Sequence, residues 1–147
     1  MYFLIESIFV GLYLLLWYKL ISLFVNNFYS ALWISGFFKH FFGFYIGLHD
    51  YFCQYGDACQ DNNLDPMLQG PKVSSKYYAK KNIEKLFITS IIEGVCTVIL
   101  GYFIGLYISN KLTLVFTIGV LLHLLFEFFG IHRDFCKKEC GFLHKVV

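Results

Sequence analysis

Residues 36–53 read GFFKHFFGFYIGLHDYFC, and residues 119–136 read GVLLHLLFEFFGIHRDFC. Aligned without a gap at an offset of 83, they pair Gly36 with Gly119, His40 with His123, Gly47 with Gly130, His49 with His132, Phe52 with Phe135 and Cys53 with Cys136. The same register runs back toward the N-terminus, where Ser7 pairs with Ser90, Ile8 with Ile91 and Gly11 with Gly94. Two unrelated apolar segments match Leu with Ile by chance. They do not hold two His, three Gly and a Cys in one frame. The sequence therefore predicts a duplicated unit, residues 7–53 and 90–136.

Working outward, the surroundings of the repeat are those of a membrane protein. The 147 residues are 58% hydrophobic and 15% charged, against about 45–50% and about 25% in soluble domains. The excess sits in four blocks, residues 2–25, 31–48, 86–108 and 112–131. Each is long enough to cross a hydrocarbon core of about 30 Å at about 1.5 Å per residue. The first block lacks a basic flank and a small-residue cleavage site, and its repeat partner is internal, so it reads as a retained helix. The expected fold is all-α: four transmembrane helices arranged as two hairpin units, residues 1–53 and 86–136. A polar loop, residues 54–85, joins them, Gly/Pro-rich and then Lys-rich, and a short charged tail covers 137–147. A net charge of +2 argues against a nucleic-acid partner.

Orientation follows from the basic residues. Lys72, Lys76, Lys80, Lys81, Lys85, Arg133, Lys137, Lys138 and Lys145 lie in the long loop and tail, whereas the short connectors, residues 26–30 and 109–111, hold only Lys111. The positive-inside rule places the loop and both termini in the cytosol. Two units of two spans each then share one orientation, related by a pseudo-two-fold axis along the membrane normal.

Small residues recur at helical spacing. Gly36, His40, Gly43 and Gly47 fall on one face, as do Gly119, His123 and Gly130, while Ser90, Gly94, Thr97, Gly101 and Gly105 follow one another in the third block. We read these as helix-packing positions, because close backbone approach replaces the hydrophobic force between helices in lipid. The ionisable residues form a layer. Lys39, His40, Glu93 and His123 lie about 10–12 Å inside the cytosolic boundary, with Glu127 and Glu6 one turn nearer to it. Such groups should face protein and pair. His123 and Glu127, at i and i+4, can hydrogen-bond within their helix. The layer reads first as interhelical glue. A proton, metal or haem site is the sharper alternative, with His40 and His123 as candidate cofactor ligands.

Just past the helix ends, His49, Cys53, His132 and Cys136 repeat an H-x-x-x-C pattern suited to i, i+4 spacing on a continued helix. Two His and two Cys fit tetrahedral zinc. Disulfides Cys53–Cys59 and Cys136–Cys140 are equally compatible with the spacing, and unpaired thiols complete the alternatives. Cys96 reads as a packing residue. No C-x-x-C, H-E-x-x-H, G-x-S-x-G or phosphate-binding glycine loop occurs, so nothing points to an enzyme.

The strings GFFKHFFGFYIGLHDYFCQYGDAC and LLHLLFEFFGIHRDFCKKEC resemble uncharacterised multi-pass membrane proteins of nucleocytoplasmic large DNA viruses. The resemblance spans most of the chain outside the middle loop. It implies a viral membrane protein without known catalytic residues, and a setting in which cytosolic thiols can be oxidised. The expected role is a non-enzymatic structural or assembly component of a viral inner membrane or a host endomembrane. Its partners would be the lipid bilayer and other membrane or capsid proteins. The alternative expectation is a small transporter or a redox or metal-binding protein built on His40, His123, Glu93 and Glu127.

Overall fold

The computed structural model describes residues 2–55 and 83–132. These form four long helices and one short one: α1 (Tyr2–Ile21), α2 (Phe28–Tyr45), α3 (Leu48–Tyr55), α4 (Ile83–Gly105) and α5 (Lys111–Phe128). The described residues are all-α. Three helices, over Phe3–Ile21, Ile83–Gly105 and Lys111–Phe128, are long and apolar enough to cross a membrane. α2 is as long as α5 but carries Ser30, Ser35, Lys39 and His40 within its apolar run.

Two asparagines set the helix starts after the short connectors. The Asn27 side chain accepts a hydrogen bond from Ser30 N at 3.0 Å. Asn110 Oδ1 accepts from Leu112 N at 3.0 Å and Thr113 N at 3.1 Å. Each cap satisfies amide donors that the first helical turn leaves unpaired. Asn27 and Asn110 are themselves separated by the offset of 83.

The helix ends depart from the sequence reading. α2 and α5 stop at Tyr45 and Phe128, and Gly47 and Gly130 follow with φ of +85° and +71°. Gly47 N and Gly130 N donate to Phe44 O and Glu127 O, closing each last turn. These glycines were expected to bring helices together. Instead, nothing lies within 4 Å of a Cβ built on either one. They are there because a left-handed turn admits glycine without steric cost. The helix continuation expected beyond residue 48 is therefore broken, and His49 sits on the separate helix α3. Gly47→Ala and Gly130→Ala are each expected to cost about 1–2 kcal/mol through the left-handed backbone, with Gly→Asn costing less. Gly43→Ala, whose added Cβ would meet nothing nearer than 3.8 Å, should be close to neutral by denaturation in detergent. Equal losses at Gly43 and Gly47 would contradict this account.

The helices pack across the two halves more than within them. α1 lies chiefly against α5, and α2 chiefly against α4. Both crossings are made at glycines. A Cβ on Gly119 would lie 2.7 Å from Gly11 Cα, and a Cβ on Gly36 would lie 3.0 Å from Gly94 Cα. The flanking contacts correspond as well: Gly11 abuts Phe116 O as Gly94 abuts Trp33 O. With backbones this close, the interior is filled by small and medium side chains. Leu14, Leu32, Val115 and Ile118 are fully buried beside Ser7, Ser35, Ser90 and Thr97. The serines are satisfied inside their own helices: Ser7 Oγ donates to Phe3 O at 2.7 Å, Ser90 Oγ to Leu86 O at 2.8 Å and Ser35 Oγ to Ala31 O at 2.6 Å. Such back-bonding lets a hydroxyl enter a core without an external partner. Thr97 donates to Gly94 O at 2.7 Å and reaches Leu32 O on α2 at 3.3 Å. The large apolar residues point outward, among them Phe24, Tyr107 and Phe128, each more than four-fifths exposed.

Candidate polar site

The first polar cluster joins α2, α3 and α4. Lys39 Nζ on α2 forms an ion pair with Glu93 Oε1 on α4, and His40 Nδ1 engages the other carboxylate oxygen. The Glu93 and Lys39 side chains are 7% and 11% exposed, so the two charges neutralise one another away from water. This places the pair one turn along α2 from the Gly36–Gly94 crossing, where the two backbones are already close. The turn at Gly47 then folds α3 back, bringing the His49 ring 4.8 Å from His40 and 5.3 Å from Phe44. Burial, reinforced by the charge of neighbouring His40, pushes His49 down to about 3, so its imidazole is neutral at pH 7.

The second cluster joins α1, α5 and the turn after α5. The His123 and His132 rings are 4.5 Å apart, and His132 Nδ1 lies 2.8 Å from Glu127 Oε2. Burial lowers the His132 pKa despite the opposing pull of Glu127, which leaves a neutral ring donating Nδ1–H to the carboxylate. His123 is 5% exposed, and its Nε2 makes no hydrogen bond among the described residues. Glu6 Oε2 on α1 stands 3.6 Å from that nitrogen. Phe52 of α3 covers the pair, its ring 5.2 Å from His132 and 5.9 Å from His123.

The expected polar layer thus forms two neighbouring groups, with the charges of Lys39 and Glu93 reaching His132 in the second. Lys39, His40 and Glu93 come together, with His49 added. His123 and Glu127 come together, with His132 and Glu6 added. No ring contact joins His40 to His123 among the described residues. The hydrogen bond expected between His123 and Glu127 goes instead from His132 to Glu127, because Gly130 turns the chain back. Of the H-x-x-x-C residues, His49 and His132 fall in different clusters. Cys53 is on α3 but its side chain lies outside the described residues, as do Cys59, Cys136 and Cys140, so the zinc and disulfide expectations fall there too. Cys96 on α4 is a free, half-buried thiol. Two shallow depressions, lined by Ile83, Glu84, Phe87 and Ile88 and by Tyr29, Val98, Ile99, Tyr102 and Phe103, include none of the cluster residues. Compared with family models, curated proteins and solved structures, the chain matches none.

Proposed function

We propose that the chain is a four-span membrane protein built from two copies of one helical hairpin, and that its role is structural. One observation carries the membrane reading: the molecule is inside out relative to a soluble bundle. Its core is mostly glycine, serine, threonine and aliphatics, with Tyr18 and Phe44 the buried aromatics, while Leu23, Phe24, Tyr107, Phe128 and Phe129 face outward. An apolar surface of that extent needs lipid or protein to cover it, and small residues at the crossings are how helices associate in lipid. The duplication is supported by features that keep the 83-residue offset: the caps, the left-handed glycines and the paired Gly crossings. Within α2, Lys39 is neutralised by Glu93, which makes a span through that helix affordable in lipid.

The structural role is supported by what the first cluster does. Its ion pair and hydrogen bond tie α2 to α4, and the groups that could do chemistry are used on one another. For the setting, the support is the residue resemblance in 36–59 and 121–140 alone, which points to a membrane made or remodelled by a large DNA virus. We place both termini and the long loop on the cytosolic side from the Lys/Arg distribution.

Protease added to the cytosolic face of sealed vesicles is expected to cut within residues 70–85 and leave two protected hairpins. Protection of that loop with cleavage at residues 26–30 would invert the topology. In purified particles of the encoding virus, the chain should fractionate with the membrane in stoichiometric amounts. Its absence from both particles and remodelled host membranes would overturn the structural role.

A further inference from the structure

The two clusters are related by the offset of 83, yet they are balanced differently. His40 corresponds to His123 and His49 to His132, and in both clusters the second imidazole is folded back onto the first. The first cluster contains its own cation, Lys39, on Glu93. At the position corresponding to Lys39 the second half has Leu122, and at the position corresponding to Phe44 it has Glu127. The second cluster has gained a carboxylate where the lysine's counterpart is apolar. Among the described residues, Glu127 has no Lys or Arg partner; it is paired with His132 alone.

Its geometry suits an ion from outside. One donor atom from each of His123, Glu127 and His132 lies within 4.8 Å of the others. Tetrahedral ligation at about 2.0–2.1 Å needs donors roughly 3.3–3.5 Å apart, a contraction within reach of side-chain rotation. Independently, the buried His123 Nε2 has no hydrogen-bond partner among the described residues, an arrangement that is costly unless something completes it. Glu6 Oε2, 3.6 Å from that atom, puts a second carboxylate at the same place. Phe52 packs against both imidazoles and Phe126 against His132, while the Glu127 side chain remains 29% exposed, leaving an ion a route in.

We propose that His123, Glu127 and His132 form a binding site for one divalent first-row transition-metal ion, of which Zn2+ is the representative. The donors are nitrogen and oxygen, a set that suits zinc and its neighbours. The ion supplies Glu127 with a directly bound cation, as Lys39 supplies one to Glu93. The site differs from the His49, Cys53, His132 and Cys136 set suggested by the sequence in using no thiolate, and it goes beyond the structural role proposed above.

The test uses the full-length protein in detergent, titrated with Co2+ and analysed for bound metal. The expected result is saturable binding of one Co2+ per chain, with visible ligand-field bands, no thiolate charge-transfer band, and displacement by Zn2+. Glu127→Gln should weaken binding by no less than about tenfold, the loss typical even of outer-shell partners, while His49→Ala leaves it unchanged. A variant with Cys53, Cys59, Cys136 and Cys140 all changed to Ser should keep the wild-type spectrum. Absence of saturable binding, a thiolate band, or wild-type affinity in Glu127→Gln overturns the site. Should Glu127→Gln fail to fold by circular dichroism, the Cys-to-Ser variant decides: retained bands support the site and lost bands overturn it.

Discussion

Gly119→Leu is expected to destabilise the folded chain in detergent by about 3 kcal/mol or more, at the upper end for overpacking. A Cβ there would lie 2.7 Å from Gly11 Cα and 3.2 Å from Val10 O. Both obstacles are backbone, so the side chain cannot be accommodated by a rotamer change; α1 and α5 must separate. Gly36→Leu should behave alike, since its Cβ would meet Gly94 Cα at 3.0 Å and the Thr97 side chain at 2.6 Å. Gly105→Ala is the control, with only the flexible end of Leu114 at 3.5 Å. Helix content followed through a denaturant titration reads all three. A loss under about 1 kcal/mol at Gly119 would mean that the two helices do not cross there.

The second large effect concerns the ion pair. Lys39→Leu should cost about 3–5 kcal/mol, because it leaves Glu93 buried and charged with only His40 beside it. Glu93→Leu should cost a similar amount by stranding Lys39. The double substitution Lys39→Leu/Glu93→Leu is expected to lose much less than the sum, since neither half of the pair is then left behind. Additive losses would show that the two charges do not depend on each other.

Much of the polar layer was legible because depth in a membrane helix is a count of residues. Lys39, His40 and Glu93 lie at one level by that count, and the only economical arrangement for them is together. Which helices face each other was less legible. Short connectors make α1 and α2, and α4 and α5, neighbours, as they are, but they do not show that Gly11 meets Gly119 and Gly36 meets Gly94 across the halves. Small residues mark a close contact without naming the partner. One misreading explains two further differences. Gly47 and Gly130 continue the helical spacing of Gly36, Gly43 and Gly119, so they read as packing positions. Their left-handed backbone makes them turns. Once the chain turns there, His49 falls on His40, and His132 displaces His123 as the partner of Glu127. Nothing in the side-chain pattern separates a packing glycine from a turn glycine when both sit in one apolar run.

The turns at Gly47 and Gly130 also fix a length. They cut α2 and α5 to 18 residues each, about 27 Å of helix, while α4 runs for 23, or about 35 Å. In the proposed four-span arrangement, one bilayer has to accommodate both. The long helix adapts by tilting, but the two short ones have no slack, and they set the thickness the protein tolerates. About 27 Å is that of the thin hydrocarbon layer of the endoplasmic reticulum, whereas the sterol-rich plasma membrane is several ångströms thicker. In that arrangement hydrophobic mismatch would favour the thinner of these layers, through the length that two glycines set.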